Sequence, residues 1–421
     1  MTTILFGAGA SNGFFSENLN TSKLTAIVKD VNVWQDALLK YYKKGLPTAC
    51  EIANLIHLIC CANPQYHFEQ ICEVLDKFCS YQFDSMPQNT YFANTLFVMA
   101  NKYGVGHVPA YSNWSDVPFL FRQIIADAIV NMHNTNANLN YGALISQQTD
   151  FLNYVSNQEE RMSVVSLNYD DLVYTSAIPA GLESGFVLSG DPRDKGQKVT
   201  DVQRFFNSPK VVYFPHGHIR FRFTDSGHIL FYDDYNQANV ERWRAQDTFN
   251  DAFTLTGQYS QFAHNYNTFL TTGQTKDNSF NIAPYSYYYQ RLASDFLNSN
   301  RIILIGYSFG DEHFNRLLHS FVNLSKNNKV YIVDYYDVHT NPITLVHEMQ
   351  DQRNILMKIN QTFKAPWIVN YNPVTQIQSP VNMQAVADIN NDAIGYGEIF
   401  PNIYYYRKGY GDFLNDYANI I

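Results

Sequence analysis

Charged residues are few in this sequence, and it has no long basic run and no long apolar run. Of its 421 residues 16% are charged, the formal net charge is -9, and no basic run is longer than a pair such as Lys43-Lys44. We therefore expect no direct nucleic-acid binding, which needs a basic surface along the phosphate backbone. No stretch approaches the roughly 18 apolar residues of a membrane-spanning helix, and no basic segment precedes the apolar Ile4-Leu5-Phe6 as it would in an export signal. These absences predict a cytoplasmic protein without a membrane partner.

Cysteine is absent beyond position 79, and none of the five cysteines forms a C-x-x-C pair. Zinc sites need clustered ligands, so we expect reduced, buried thiols and no metal. The five positions share one segment with helical spacing of its apolar residues: Cys50, Cys60, Cys61, Cys72 and Cys79.

Apolar and aromatic side chains, in contrast, are abundant at 46% and 15%. That composition predicts a globular protein with a substantial core.

Short apolar runs that end in glycine or polar residues recur along the chain. They occur in "TTILFGAGAS", "MSVVSLN", "KVVYFPH", "RIILIGYS" and "KVYIVDYY". Helical patterns such as "YYYQRLASDFLNS" and "EHFNRLLHSFVNLS" lie between several of them. Continuous apolar strands are typical of a parallel sheet that is covered on both faces. The sequence therefore predicts an α/β fold with a Rossmann-like, mostly parallel sheet.

Two regions depart from this alternation. From about residue 20 to 150 the apolar residues recur at three and four residue steps, as in "HFEQICEVLDKFCSY", which predicts a helical insertion. "IRFRF" and "HILFY" alternate around Asp225-Ser226-Gly227 and predict a hairpin. The last residues are weakly periodic. We therefore expect a catalytic domain over residues 1–365, containing the insertion, and a C-terminal arm over residues 366–421 for oligomer or partner contacts.

The first glycine loop, "GAGAS", follows the first predicted strand. Glycines here let the backbone approach a pyrophosphate, and a helix N-terminus would offer N–H donors to it. The pattern does not meet the dehydrogenase fingerprint, because Gly13 stands one position too late, although Asp30 lies near the position of its ribose carboxylate. A tight strand-to-helix turn explains the motif equally well.

Polar residues follow two further strands. In "SVVSLNYDDLVY", Asn168 and Asp170 stand where ligands bind, beyond the carboxyl end of a strand. The side-chain amide of Asn168 can hold a water or a sugar hydroxyl, and the alternative is that both residues cap the next helix. In "FPHGH", His216 can accept a proton near neutral pH, and Gly217 would let a ligand approach. The pair with His218 is a poor metal site, and the alternative is an ordinary hydrogen-bonded histidine.

The stretch "RIILIGYSFGDEHFN" carries the second glycine loop. Gly306 and Ser308 would give access and donors to a phosphate or ribose, and Asp311 begins the next helix. The alternative is a plain helix cap at Asp311. Asp334, at the end of "KVYIVD", fits either a contact to a ribose hydroxyl or an ordinary strand-end carboxylate.

Taken together, "GAGAS", "SLNYDD", "PHGH" and "GYSFGDEHFN" resemble the sirtuin-like domains, specifically the bacterial sirtuin-like NAD-cleaving effectors of anti-phage defence. The resemblance spans about residues 1–340 without the helical insertion and implies a sheet of sirtuin type. It implies that Asn168 and Asp170 lie near the nicotinamide ribose and that His216 is the catalytic base. It leaves His218 without a catalytic role. The resemblance, together with the place of Asp311 in the second glycine loop, gives these NAD-binding candidates: Gly7, Ala8, Gly9, Ser11, Asp170, Gly306, Ser308 and Asp311.

The departures from the family also carry information. Deacetylating sirtuins have two C-x-x-C pairs for zinc, and this chain has none, which favours hydrolysis of NAD+ to nicotinamide and ADP-ribose. ADP-ribosyl transfer and a non-catalytic NAD or ADP-ribose sensor remain alternatives. The resemblance further implies a homo-oligomer that depletes NAD+ in anti-phage defence and can pair with a HerA-type ATPase.

Overall fold

The fold is described from a computed structural model. It describes residues 1–11, 14–15, 21–42, 46–61, 64–83, 117–135, 140–223, 229–242, 269–271, 283–334, 370–371, 378–379, 394–400 and 402–421. Within these ranges, no helix has both the length and the apolar character needed to cross a membrane.

The strands fall into a large sheet, a small sheet and one isolated pair. They are β1 (Thr2–Phe6), β2 (Met162–Ser166), β3 (Phe186–Leu188), β4 (Lys198–Thr200), β5 (Lys210–Tyr213), β6 (Phe221–Phe223), β7 (Ile229–Phe231), β8 (Arg301–Ile305), β9 (Lys329–Val333), β10 (Asn370–Tyr371), β11 (Gln378–Ser379), β12 (Tyr396–Phe400) and β13 (Ile403–Tyr406).

The helices with defined bounds are distributed along the whole chain. They are α1 (Thr21–Lys29), α2 (Val31–Tyr42), α3 (Leu46–Cys61), α4 (Phe68–Phe83), α5 (Val117–Thr135), α6 (Tyr141–Gln158), α7 (Leu172–Ala177), α8 (Val202–Asn207), α9 (Tyr285–Asn298), α10 (Glu312–Leu324) and α11 (Tyr410–Ile420). Residues 235–242 are also helical.

The large sheet has seven strands in the order β12-β13-β9-β8-β1-β2-β5. Its neighbouring pairs are parallel except for β12 and β13, which are antiparallel. All five residues of β1 and of β2 are buried, as expected of strands covered on both faces. The predicted mostly parallel α/β sheet is confirmed.

The strand order places a crevice at the centre of this sheet. From β1 the chain adds β2 and β5 on one side, and it later returns to add β8 and β9 on the other. Phe6 of β1 pairs with Ser166 of β2 and with Ile305 of β8, so these strands end at the same level. Ligands of open α/β sheets bind beyond the carboxyl ends of the strands, where the order reverses. The loops after β1, β2, β5 and β8 are the ones that meet there.

The small sheet is antiparallel, in the order β3-β4-β7-β6. Phe221 pairs with Phe231 and Phe223 with Ile229, which confirms the predicted hairpin. The turn expected at residues 225–227 lies outside the described residues.

Helices α1 to α5 form the predicted helical region after β1, and we call them the helical lobe. Trp34, Leu38, Leu75 and Phe121 are buried within it, and the indole of Trp34 donates a 2.8 Å hydrogen bond to the carbonyl of Val28. No strand occurs among the described residues from 21 to 135. The boundaries expected for the insertion stay a prediction, as does the division at residue 365.

The C-terminal residues contribute to the large sheet. β13 pairs in parallel with β9, and α11 packs on α6, where Phe413 contacts Phe151 with ring centroids 5.3 Å apart. Whether residues 366–421 also serve as an arm for partner contacts stays a prediction.

Candidate functional site

A cavity of about 410 Å³ opens at the carboxyl edge of the large sheet. Its volume lies within the range of small-molecule sites, about 300 to 1,000 Å³. The sheet loops and the helical lobe both line it. The lining residues are Gly7, Ala8, Ser11, Thr21, Leu24, His67, Phe68, Glu69, Ile129, Met132, Leu167, Asn168, Tyr169, Asp170, His216, Tyr307, Ser308, Gly310 and Asp311.

The two predicted glycine loops lie directly against each other. The amide of Gly9 donates to the carbonyl of Gly306 at 3.0 Å, and Gly306 has a φ of +59°. A Cβ on Gly306 would stand 2.2 Å from the amide nitrogen of Ala10. Gly9 and Gly306 are thus the two predicted NAD-binding residues outside the cavity lining, and they allow the two loops to approach closely.

Asn168 joins the loop after β2 to the loop after β1. Its Nδ2 donates to the carbonyl of Gly7 at 2.9 Å and to Oγ of Ser11 at 3.1 Å. A carbonyl only accepts hydrogen bonds, which fixes the orientation of the amide. The Asn168 side-chain oxygen is then the group that this amide offers as an acceptor to a ligand.

Asp170 lines the cavity and also bonds to the start of the next helix. Its Oδ1 accepts from the amide of Leu172 at 3.1 Å, in the first turn of α7, and its Oδ2 accepts from the Ser11 hydroxyl at 2.5 Å. Burial raises the pKa of this carboxyl, opposed by the charge of His133 and the hydrogen bond from Ser11. Asp170 therefore supports Ser11, which in turn accepts from the amide of Asn168.

His216 lies beside the carboxylate of Asp311, and both residues line the cavity. Its Nε2 lies 3.1 Å from Oδ2 of Asp311, and both side chains are largely buried. Oδ1 of Asp311 accepts from the amides of His313 and Phe314 at 3.0 and 3.4 Å and so caps α10. The helix cap expected at Asp311 is therefore present, and the same carboxylate also orients an imidazole.

The loop after β8 has a strained shape that other residues support. Phe309 is buried and has a φ of +55°, uncommon for a large side chain. Asn315 donates to the carbonyl of Phe309 at 3.0 Å, and it accepts from the hydroxyl of Tyr307 at 2.9 Å. These bonds fix the loop that presents Ser308 and Asp311 to the cavity.

Gly217 has a different neighbour from the one that the sequence suggested. With a φ of +96°, a Cβ at this position would lie 2.1 Å from the carbonyl oxygen of Phe269. The expectation of close approach by a ligand is therefore corrected, because the approaching group is the backbone of residues 269–271. Thr271 bonds that segment to residues 214–218, which we call the histidine loop, because its amide donates to the carbonyl of His216 at 2.8 Å.

His218 lies behind the cavity in a buried polar cluster. Its side chain is fully buried, Nδ1 accepts from the amide of Arg220 at 3.2 Å, and Nε2 lies 3.7 Å from Asp171. Burial lowers the pKa of His218 to about 3, although the carboxylate of Asp171 raises it. Near neutral pH this imidazole is uncharged, which fits the structural role expected for it.

Asp171 is held by the guanidinium of Arg220. Nε and Nη2 of Arg220 lie 2.5 and 2.6 Å from the two oxygens of the carboxylate. Burial raises the pKa of Asp171, but the hydrogen bonds and the charge of Arg220 outweigh it and lower the pKa overall. Asp170 and Asp171 are thus adjacent carboxyls whose pKa values are shifted in opposite directions.

The helical lobe supplies a cavity wall that no motif indicated. It consists of side chains from α1, from the start of α4 and from α5: Thr21, Leu24, His67, Phe68, Glu69, Ile129 and Met132. Their spacing in the sequence indicates only helices with a buried face. Tyr169 and Tyr307 also line the cavity. Both stand inside motifs in which only neighbouring residues were predicted to bind a ligand.

Two carboxylates, those of Asp30 and Asp334, do not line the cavity. Asp30 stands between α1 and α2, where its carboxylate accepts from the amide of Asn32 at 2.9 Å, and it is not among the residues that line the cavity. The backbone of Asp334 links β9 to the C-terminal region, donating to the carbonyl of Tyr406 and accepting from the amide of Gly409. Its carboxylate is not among the lining groups of the cavity.

The described part of the chain contains no group of three or more His, Cys, Asp or Glu side chains arranged to hold a metal ion. Cys50, Cys60, Cys61 and Cys72 are free thiols, and burial raises the pKa of Cys60. The side chain of Cys79 lies outside the described residues.

A family model matches part of the chain. Residues 162–360, slightly less than half of the chain, match the family model described as the SIR2-like domain. The matched range contains Asn168, Asp170, His216, Ser308 and Asp311, whereas the glycine loop after β1 and the helical lobe lie outside it. No curated protein matches the chain. The match supports a sirtuin-like protein with an NAD-related activity, since SIR2-like domains bind NAD and are often parts of NAD-dependent enzymes.

Proposed function

We propose that this protein is an NAD+ hydrolase that releases nicotinamide and ADP-ribose. The observation that carries the proposal is the meeting of Asn168 and the His216–Asp311 pair in one cavity at the carboxyl edge of the sheet. NAD+ would lie with its phosphates toward Gly7 and Ala8 and its adenosine toward Ser308. The nicotinamide ribose would then lie near Asn168 and Asp170.

The glycosidic bond of NAD+ breaks through an oxocarbenium-like state. As the bond between C1′ and the ring nitrogen breaks, its electron pair goes to nicotinamide, and a water oxygen bonds to C1′. Asn168 would hold that water or a ribose hydroxyl with its side-chain oxygen, because its Nδ2 is engaged with Gly7 and Ser11. A fixed acceptor beside the developing positive charge stabilises it more than mobile water does.

His216 would accept the proton of the attacking water. Asp311 accepts hydrogen bonds as a carboxylate, so in the neutral imidazole the hydrogen lies on Nε2 and the lone pair on Nδ1. Nδ1 is therefore the basic atom, which passes the proton on to solvent after hydrolysis. A base held in this way contributes about 10² to 10⁴ to a rate.

The biological setting of the proposal rests on the resemblance to defence effectors. Constitutive loss of NAD+ would harm the host cell, so we propose that assembly into a homo-oligomer, or a HerA-type ATPase partner, controls the activity. The role would be anti-phage defence by depletion of NAD+.

The test is to incubate the protein with NAD+, alone and with a HerA-type ATPase, and to follow nicotinamide and ADP-ribose by mass spectrometry. We expect equal amounts of both products, and loss of at least about 10² in rate for Asn168→Ala and for His216→Ala. His319→Ala and Asn323→Ala are the controls, since neither residue of α10 lines the cavity; Asn323 is exposed and His319 is half-buried. These two variants should retain the rate.

Three results would overturn the proposal. Nicotinamide release with ADP-ribose attached to protein would instead support ADP-ribosyl transfer. Binding of NAD+ without turnover under every condition would support a sensor. Full turnover in both Asn168→Ala and His216→Ala would show that the site assignment is wrong.

A further inference from the structure

Residues 269–271 lie between the helical lobe and the loop that carries His216. On one side the amide of Thr271 donates to the carbonyl of His216 at 2.8 Å, and the amide of His218 donates to the carbonyl of Phe269 at 3.2 Å. Gly217 and Leu270 form an antiparallel bridge between these two bonds. The segment therefore pairs with the histidine loop along its backbone.

On its other side the segment contacts helix α5. The rings of Phe119 and Phe269 meet edge to face with centroids 6.1 Å apart. Nε of Arg122 donates to the carbonyl of Leu270 at 3.2 Å. Leu270, the middle residue of the segment, therefore contacts both sides. It forms the antiparallel bridge with Gly217 of the histidine loop, and it accepts the hydrogen bond from Arg122 of the helical lobe.

The guanidinium of Arg122 is held in place by α4. Its Nη1 and Nη2 lie 3.1 and 2.9 Å from the two oxygens of Asp76, and the Arg122 side chain is only 2% exposed. Burial lowers the pKa of Arg122, but the charge of Asp76 outweighs this and raises it overall. A two-pronged ion pair fixes the direction of the third donor, Nε, which points to Leu270.

The neighbouring residue of α5 makes a second connection. Oε1 of Gln123 accepts from Nε of Arg242 at 3.0 Å, and Nη1 of Arg242 donates to the carbonyls of Ile219 and Phe221 at 2.7 and 2.9 Å. The guanidinium of Arg242 also lies over the ring of Phe269, 4.4 Å from its centroid. Two consecutive residues of α5 therefore hold the chain on both sides of the histidine loop.

We propose that Arg122 is a positioning residue for His216, acting through residues 269–271. By fixing Leu270 it holds the backbone bonds from Thr271 and His218 and thereby the position of the imidazole against Asp311. The inference rests on the proposed function for its catalytic meaning. The structural part of the inference is that Arg122 keeps the histidine loop ordered, and this part is tested without NAD+.

The central experiment compares hydrogen exchange at the amides of His218 and Thr271 in the full chain. Arg122→Lys keeps a charge beside Asp76 but loses the fork that reaches both Asp76 and Leu270. We expect exchange at these two amides to become about tenfold faster, beyond any change in globally protected amides. In the double variant Asp76→Leu/Arg122→Met, apolar packing replaces the ion pair, so stability should recover while the two amides stay fast.

Arg291→Lys is the matched control. Arg291 is equally buried, pairs with Asp295 at 2.9 Å and donates to the carbonyls of Phe205, Phe206 and Ser208, away from the histidine loop. This variant should lower the unfolding temperature without selectively accelerating the two amides. Equal acceleration in Arg291→Lys, or unchanged exchange in Arg122→Lys, would overturn the inference.

Kinetics add a second readout. A misplaced base slows the chemical step, so kcat for NAD+ hydrolysis in Arg122→Lys should fall about tenfold or more while KM stays similar. A raised KM with unchanged kcat would contradict the positioning role. Absence of NAD+ turnover in the unaltered protein would overturn the proposed function, whereas the exchange comparison would still decide the role of Arg122.

Discussion

The imidazole of His216 and the carboxylate of Asp311 meet although the strands that present them are not neighbours. His216 follows β5 and Asp311 follows β8, and β1 and β2 lie between these two strands in the sheet. The pair therefore spans the edge of the sheet where Asn168 and the first glycine loop also end. Because one oxygen of Asp311 caps α10 and the other faces His216, the start of a helix fixes the histidine.

Asp311→Asn should impair the base while leaving the helix cap intact. Asparagine is as good a cap residue as aspartate, so its side-chain oxygen can still accept from the first turn of α10. Its amide nitrogen would then face Nε2 of His216 and place the hydrogen on Nδ1, which removes the basic atom. We expect kcat for NAD+ hydrolysis to fall by about 10² or more, with little change in the unfolding temperature.

Glu312→Gln is the control for this substitution. Glu312 is the exposed neighbour of Asp311 and pairs with Arg316 on the surface of α10. It should leave both kcat and KM unchanged. If Asp311→Asn raised KM for NAD+ and left kcat intact, Asp311 would instead contact the dinucleotide, as its place in the second glycine loop suggested.

The sequence predicted the sheet and much of the cavity for one physical reason. Parallel strands buried on both faces appear as uninterrupted apolar runs, and their carboxyl ends share one edge. Asn168, His216 and Ser308 each stand just after such a run, and all three line the cavity. Their meeting follows from the topology and needs no knowledge of side-chain contacts.

The contacts that the sequence did not reveal join residues far apart in the chain. His216 and Asp311 are 95 positions apart, and Arg122 and Leu270 are 148 apart. Local patterns such as helical spacing or a glycine after a strand do not encode which distant group fills the adjacent space. For the same reason Gly217 resembled a ligand contact, although the backbone of residues 269–271 occupies its open side.

Gly306→Ala should strongly destabilise the protein. The residue has a φ of +59°, and an added Cβ would collide with the backbone at Gly9 and Ala10. Both effects oppose the native state, so we expect the free energy of unfolding to fall by more than about 1 kcal/mol. Urea denaturation monitored by circular dichroism measures it.

Gly142→Ala is the matched control, because an added Cβ there meets no atom within 4 Å and the residue lies in the first turn of α6. Its free energy of unfolding should stay the same or rise by up to about 1 kcal/mol. Equal effects of the two substitutions would contradict the close approach of the two glycine loops.

His218 should make the protein less stable in mild acid. Its folded pKa is about 3, against an ordinary value of 6.5, because burial disfavours the charged imidazole. Between these two values the unfolded chain binds a proton that the folded chain does not. The free energy of unfolding therefore falls as the pH falls below about 6.5, by at most about 1.4 kcal/mol per pH unit from this group.

His218→Asn should flatten that dependence, because asparagine does not titrate and its side-chain oxygen can still accept from the amide of Arg220. Urea denaturation from about pH 7.5 to about pH 4.5 gives the slope, and part of it should remain, since burial also lowers the pKa of His133 in the same cluster. His319→Asn, at a half-buried position of α10 outside this cluster, should leave the slope from His218 in place. If His218→Asn kept it as well, the imidazole of His218 would be charged in the folded protein, and its burial beside Asp171 would have to be stabilised as an ion pair.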